Sequence, residues 1–309
     1  MIVALAGGVG GARLANGLAA CLPPDELLVV VNVGDDFDHF GLPICPDLDT
    51  VCYTLAGLND PQQGWGLAGE SWNFMAAIGR LGGEDWFNLG DRDLATHVMR
   101  RLLLEQHSLS EATRQIADKL GVRHRVAPAT DDRLRSIIDS DEGRLAFQDY
   151  FVRRRAAPVF RAISFDGVDE ARPSAAFDAA LDDPALDAII LCPSNPVLSL
   201  APILAIQGVR ERLCQSPAPV VAVSPFIGGS AVKGPAAKIL EELGISRDPL
   251  GLASYFGDVL DGLVIDQADA DSPRPDIPVL LTETLMRDDA GQKRLAADVL
   301  DFTRQLRDR

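Results

Sequence analysis

The chain lacks long apolar runs and an excess of positive charge. No run approaches the ~20 apolar residues that a membrane-spanning helix needs. The first apolar stretch has no basic region before it, so we expect a β-strand there, not a signal peptide. A net charge of −16 at pH 7 argues against nucleic-acid binding, which needs a basic face. The five cysteines are scattered without a CxxC motif, which predicts reduced thiols in a cytoplasmic protein.

Short apolar runs alternate with helical patterns along most of the chain. Residues 2–6 and 27–33 have the wholly apolar character of buried parallel strands, and residues 11–22 between them have a helical pattern. We therefore predict an α/β fold with a doubly wound, Rossmann-like parallel sheet. Its later strands are expected at residues 188–192, 220–223, 263–265 and 279–281, and a closing helix at 293–306.

The pattern changes between residues 122 and 172. Short, partly polar and arginine-containing segments there predict antiparallel strands at 124–128, 134–139, 144–153 and 159–165. We expect a small inserted α+β subdomain at 122–172, mostly antiparallel, within a core made of residues 1–121 and 173–309. Helices are expected before it at 47–58, 71–81, 93–106 and 110–120, the last one capped at Ser110.

A glycine-rich turn follows the first strand. The GGVGG run at residues 7–11 joins a strand to a helix, where backbone N–H groups can bind phosphate. The run lacks the third glycine of a Rossmann fingerprint, because Arg13 stands at that position, and it lacks the Gly-Lys-Ser/Thr of a Walker A loop. A tight turn without a ligand remains the alternative.

Carboxylates cluster soon after the second strand. Asp35 and Asp36 stand where a dinucleotide-binding enzyme has its ribose-binding acid. Asp47 and Asp49 follow Pro46 at a helix start, where an acid can either cap the helix or bind a metal. Carboxylate oxygens suit Mg²⁺, so acids near a phosphate-binding turn indicate phosphoryl chemistry.

Polar loops also follow the later strands. Ser194 and Asn195 can hydrogen-bond a base or ribose, and Gly228, Gly229 and Lys233 can meet a second phosphate. Ligands of an open α/β sheet bind beyond the carboxyl ends of its strands, so we expect both loops near the glycine turn. Turn formation by the prolines alone is the alternative.

The segment NLGDRDLATH at residues 88–97 concentrates charge at a helix start. Arg92 could clamp a phosphate oxygen or form an ion pair within the helix. His97 is predicted to be a packed or surface histidine. The four histidines have no metal-ligand spacing, so a zinc site is not expected.

These motifs together resemble the CofD/FbiA transferases of coenzyme F-420 biosynthesis. The resemblance covers nearly the whole chain and rests on GGVGGARL, NVGDD, CPDLDT, the Trp65/Trp72 region, LGDRDLATH, FQDYFVRRR, PSNPVLSLAPIL and SPFIGGSAVKGPA, in family order. It implies that the hydroxyl of the deazaflavin Fo attacks a guanosine diphosphate conjugate of a three-carbon acid. A phospho-lactyl, phospho-enolpyruvyl or phospho-glyceryl group would pass to Fo and GMP would leave, with Mg²⁺ required.

The resemblance also implies roles for individual residues. Asp49 and Asp35 are the expected catalytic and metal-binding residues, and Asp49 is expected to contact Fo together with Asn88 and Arg92. It further suggests a homodimer, whose interface could lie within residues 93–120. The expected nucleotide-binding residues are Gly8, Val9, Gly10, Gly11, Ser194, Asn195, Gly228 and Gly229.

Two alternatives stay open. A YvcK-like regulatory protein that binds a UDP-sugar has a similar glycine-rich opening, although the LGDRDLATH and PDLDT strings favour the transferase. A nicotinamide-dependent oxidoreductase has the same order of strand, glycine turn, helix, strand and acid, but the missing third glycine disfavours it. The expected partners are small molecules, with no nucleic acid and no membrane.

Overall fold

The computed structural model describes residues 1–231 and 234–308. Its strands are β1 (Ile2–Ala6), β2 (Leu27–Val31), β3 (Phe37–His39), β4 (Leu42–Ile44), β5 (Arg125–Pro128), β6 (Arg135–Ser140), β7 (Gly143–Ala146), β8 (Phe160–Asp166), β9 (Ala188–Leu191), β10 (Val220–Val223), β11 (Phe226–Ile227), β12 (Ser230–Ala231), β13 (Gly262–Asp266) and β14 (Val279–Thr282). Its α-helices are α1 (Gly8–Ala19), α2 (Pro46–Leu55), α3 (Asn73–Arg80), α4 (Asp93–Leu103), α5 (Leu109–Leu120), α6 (Ala175–Leu181), α7 (Ala201–Ala205), α8 (Val209–Gln215), α9 (Ala236–Glu242), α10 (Pro249–Phe256) and α11 (Asp289–Arg307). Short 3₁₀ or π-helical turns lie at Pro24–Glu26, Asp149–Arg153, Pro196–Leu200, Gly257–Val259 and Gln267–Asp269.

Seven parallel strands form the central sheet, in the order β14-β13-β10-β9-β1-β2-β5. Strands β1 and β2 are apolar and buried along their whole length, as expected where helices cover both faces of a parallel sheet. The chain builds outward from β1 to β5, then returns to the other side of β1 and builds outward to β14. The strand order therefore reverses between β1 and β9, where sheets of this kind bind their ligands. The predicted Rossmann-like sheet is confirmed.

Two glycines let helix α1 pack closely against its neighbours. A Cβ on Gly10 would lie 2.3 Å from the Pro193 carbonyl oxygen in the loop after β9. A Cβ on Gly17 would lie 2.2 Å from the carbonyl oxygen of Gln292 in α11. Because real Cβ atoms essentially never come within 3.0 Å of other heavy atoms, both contacts require glycine. The helix thus sits tightly between β9's loop and the C-terminal helix.

A smaller antiparallel sheet, in the order β7-β6-β8, lies within residues 135–166. It confirms the antiparallel strands predicted at 134–139 and 159–165. The antiparallel strand predicted at 124–128 is wrong, because β5 pairs parallel with β2 at the edge of the central sheet. The strand predicted at 144–153 is also wrong in its second half, which forms a π-helical turn. The division of the chain into core and insertion stays a prediction.

Several helix boundaries differ from those predicted. Helix α1 begins at Gly8, directly after the extended Gly7, and not at residue 11. Helix α5 is capped by Ser108, whose side-chain oxygen accepts from the Glu111 N–H, so the predicted cap at Ser110 is wrong. Among the described residues, no helix combines the length and the apolar character needed to cross a membrane.

Candidate functional site

A cavity of about 620 Å³ lies beyond the carboxyl ends of the central strands, at the point where the strand order reverses. This volume is typical of small-molecule sites. Its wall brings together the glycine turn, the acids and parts of the later loops. The predicted site residues on this wall are Gly8, Val9, Gly10, Asp35, Asp49, Asn88, Ser194 and Asn195.

The glycine turn is partly occupied by side chains of the chain itself. The Gly8 N–H donates to Asp47 Oδ1 at 2.6 Å, and the Gly7 N–H donates to Ser194 Oγ at 3.0 Å. The N–H groups of Val9 and Gly10 belong to the first turn of α1, where the helix supplies no acceptor. These two N–H groups therefore remain to bind an anion at the cavity wall.

A buried group of acids lies below the glycine turn. Asn32 joins two of them, because its Nδ2 donates to Asp35 Oδ1 at 3.2 Å and to Asp47 Oδ2 at 3.0 Å. Burial raises the pKa of Asp47 to about 6 and that of Asp36 to about 7. Burial, together with the charges of Asp47 and Asp36, raises the pKa of Asp35 well above its usual value. A bound cation would relieve this concentration of negative charge.

A second polar cluster connects helices α2 and α4. Arg100 donates to Asp49 Oδ1 through Nη2, and its Nη1 lies 3.2 Å from His97 Nδ1. His97 Nε2 lies 3.4 Å from Asp93 Oδ2, and the Tyr53 hydroxyl donates to Asp93 Oδ1 at 2.5 Å. We call these five residues the α2–α4 polar cluster. Burial raises the pKa of Asp49, although the neighbouring Arg100 opposes this shift.

Oxygen and nitrogen atoms of this cluster could hold a metal ion. One ligand atom each from Asp49, Asp93 and His97 lie within 4.8 Å of one another, the one such trio found in the described part of the chain. Asp49 Oδ2 and His97 Nε2 are buried without a hydrogen-bond partner there. Asp35, the other predicted ligand, lines the same cavity. Carboxylate oxygens are the ligands that Mg²⁺ takes most readily, so Asp35, Asp49 and Asp93 fit this ion, whereas the His97 ring nitrogens are not typical Mg²⁺ ligands.

Aromatic side chains form another part of the cavity wall. They come from the segment before α4 and from the turn that follows β7. Phe147 and Phe151 stack with ring centroids 5.3 Å apart. Trp65 stays 42% exposed, so one large ring is open to a ligand. A flat aromatic ligand could stack on this wall, whose members are Trp65, Trp86, Phe87, Phe147 and Phe151.

Four predicted contact residues do not lie on the cavity wall. The Arg92 side chain donates to the Ala68 carbonyl oxygen at 2.6 Å and is exposed. The Gly228 and Gly229 N–H groups donate to the Asp269 carboxylate at 3.1 and 3.2 Å. A Cβ on Gly11 would lie 2.5 Å from Ser194 Oγ, which gives Gly11 a packing role. Lys233 lies outside the described residues.

Four members of the α2–α4 polar cluster are not among the site residues predicted from the sequence. The sequence predicts no role for Tyr53, Asp93 or Arg100, and it predicts a packed or surface position for His97. Helical spacing was the available signal. Asp93, His97 and Arg100 stand at i, i+4 and i+7 on one face of α4, and Asp49 and Tyr53 stand four residues apart on α2.

Known proteins resemble this chain over nearly its whole length. The family model for 2-phospho-L-lactate transferase CofD matches residues 2–291. A phosphoenolpyruvate transferase of Kitasatospora aureofaciens is 44% identical over 276 residues, which cover 87% of this chain and 85% of that protein. A 2-phospho-L-lactate transferase of Methanopyrus kandleri is 36% identical over 310 residues, covering 99% and 98% of the two chains.

A solved structure shares the fold. The crystal structure of a UPF0052 family protein of Bacillus halodurans superposes with a TM-score of 0.62, covering 97% of this chain and 98% of that one. The two sequences are 15% identical, so the similarity concerns the fold alone.

Proposed function

Because this chain belongs to the CofD family of transferases, we propose that it makes the phospho-acid arm of coenzyme F-420. In the proposed reaction the hydroxyl oxygen of Fo attacks the phosphorus that carries the three-carbon acid. A new P–O bond forms to Fo, the bond from this phosphorus to the bridging oxygen breaks, and GMP leaves. The hydroxyl proton is released.

The observation that carries the proposal is that one cavity has walls suited to two different substrates. The Val9 and Gly10 N–H groups of the glycine turn and the Ser194–Asn195 loop can bind a nucleoside diphosphate. The aromatic wall can bind the flat ring of Fo. Asp49 lines the same cavity, and its buried Oδ2 has no hydrogen-bond partner among the described residues. This combination supports a two-substrate transferase better than a regulatory site for one UDP-sugar.

Magnesium fits the acids of this cavity. Asp35 and Asp49 would hold the ion, which would supply positive charge to the diphosphate during transfer. The only arginine on the described cavity wall is Arg13, whose Nη1 donates to the Met286 carbonyl oxygen at 3.0 Å. An anionic donor entering a wall with several carboxylates needs more positive charge than this one side chain provides.

The names of the relatives indicate which donor to try first. The Kitasatospora relative is a phosphoenolpyruvate transferase and the Methanopyrus relative a 2-phospho-L-lactate transferase. We propose the enolpyruvyl conjugate as donor, because the former relative has the higher identity of the two. A homodimer and a cytoplasmic location stay predictions of the sequence.

Fo binding tests the proposal. Titration of the chain with Fo, followed by the fluorescence of Fo, should show saturable binding that changes when GDP and Mg²⁺ are added. The matched control replaces GDP with UDP-N-acetylglucosamine. Absence of Fo binding together with a thermal shift from the UDP-sugar would contradict the transferase and support the regulatory alternative.

A further inference from the structure

The α2–α4 polar cluster gives the two oxygens of Asp49 different environments. Oδ1 accepts a hydrogen bond from Arg100 Nη2, whereas Oδ2 is buried and has no hydrogen-bond partner among the described residues. His97 Nδ1 lies 3.6 Å from Oδ2, beyond hydrogen-bond distance. Oδ1 of Asp49 is therefore bound by the protein itself, and Oδ2 is left to interact with a group that enters the cavity.

Arg100 is held in place by three acceptors. Besides Asp49 it contacts His97 Nδ1 at 3.2 Å and donates to the Pro43 carbonyl oxygen at 3.3 Å. A guanidinium has only donors, so His97 Nδ1 must accept, and the proton of a neutral His97 ring then lies on Nε2, facing Asp93. Tyr53 fixes Asp93 from the other side. The orientation of Arg100 is thus determined by the whole cluster.

We infer that Arg100 is a positioning residue for the transfer, which holds Asp49 Oδ1 so that Oδ2 is directed at the reacting groups. The inference rests on the proposed function. Arg100 itself is 2% exposed and does not line the cavity, so it acts through Asp49 and not on a substrate. A planar guanidinium can bridge an acid, an imidazole and a carbonyl at once, which the single ammonium of lysine cannot do with the same geometry.

The inference makes a prediction that separates positioning from binding. In Arg100→Met the Asp49 carboxylate loses its fixed orientation, so we expect kcat to fall by about 10²-fold, the effect of a misplacement near 1 Å. The KM values for donor and Fo should stay close to those of the wild type. Arg100→Lys keeps the charge and should recover part of the lost kcat. Arg101→Met, which removes the exposed neighbour on the same helix, is the matched control and should leave kcat unchanged.

Steady-state kinetics, together with Fo titration of each variant, test this prediction. A wild-type kcat in a folded Arg100→Met would overturn the inference, as would equal losses in kcat and in Fo affinity. If Arg100→Met does not fold, the folded Arg100→Lys decides, because a kcat equal to that of the wild type would also overturn the inference. A wild-type chain without transfer would instead overturn the proposed function and the inference with it.

Discussion

Adding one methyl group at Gly10 tests whether this position must be glycine for α1 to pack against the loop after β9. The Cβ of Gly10→Ala would lie 2.3 Å from the Pro193 carbonyl oxygen. That carbonyl cannot move freely, since the Cys192 N–H donates to Leu5 O at 3.0 Å and the Ser194 N–H donates to Cys192 O at 2.6 Å. Either α1 or the loop after β9 must therefore shift to accommodate the methyl group.

The expected cost follows from two opposing effects. Overpacking of this kind costs ~1–3 kcal/mol, while exchanging glycine for alanine within a helix returns up to ~1 kcal/mol. We expect Gly10→Ala to lower the free energy of unfolding by about 1–2 kcal/mol. Because Pro193 and Ser194 line the cavity, the same shift should weaken GDP binding.

A second glycine provides the matched control. Gly79 lies within α3, and its Cβ would meet nothing closer than Asp85 Oδ2 at 3.8 Å, an ordinary contact. Gly79→Ala should therefore raise the free energy of unfolding by ~0.5–1 kcal/mol and leave GDP binding unchanged. Urea denaturation and GDP titration of both variants measure these effects. A Gly10→Ala chain as stable as Gly79→Ala would refute the packing argument.

Three further predictions concern the buried acids and the proposed Fo-binding residues. Asp49→Asn should keep the fold, as checked by circular dichroism, and its transfer rate should fall by on the order of 10²-fold or more. A wild-type rate in this variant would show that Asp49 has no role in the mechanism. Asn88→Ala should raise the KM for Fo, whereas Arg92→Ala should leave it unchanged, because Asn88 lines the cavity and Arg92 does not. Equal effects of the two variants on this KM would contradict Fo binding beside Asn88. Burial holds the folded pKa of Asp47 at about 6 and of Asp36 at about 7, above their unfolded values, so the folded state binds more protons in this range. The melting temperature in EDTA should accordingly rise as pH falls from 7.5 to about 5.5. A melting temperature that falls over this window would contradict the raised pKa values of Asp36 and Asp47.

The central sheet could be predicted because its strands are buried on both faces. Strands β1, β2, β9 and β10 are apolar throughout, and this pattern needs no knowledge of neighbours. The sequence pattern of strand β5 predicts the wrong sheet for the opposite reason. It begins with the exposed Arg125 at the sheet edge, so its sequence has the partly polar pattern of an antiparallel strand. Only the pairing with β2, nearly a hundred residues earlier in sequence, fixes its place.

The site was predictable where one segment supplies the chemistry. The glycine turn and the acids at 35 and 49 stand next to strand ends or helix starts, so their place in the fold follows from local pattern. The α2–α4 polar cluster depends on a contact between helices, and the isolated sequence of α4 does not show that Arg100 faces Asp49. Arg92 stands at the start of the same helix, and its side chain donates to the Ala68 carbonyl oxygen instead. Charge in a motif does not reveal which charged residue faces the cavity.

Phosphorus NMR of a single reaction mixture tests the proposed transfer most directly. The chain would be incubated with Fo, Mg²⁺ and the guanosine diphosphate conjugate of enolpyruvate, with Asp49→Asn as the control. The proposed transfer predicts that the diphosphate signals of the donor disappear. Two products should appear in equal amounts, GMP and the phosphodiester that joins Fo to the three-carbon acid. Persistence of the donor signals with the wild-type chain, under conditions where Fo and GDP both bind, would contradict it.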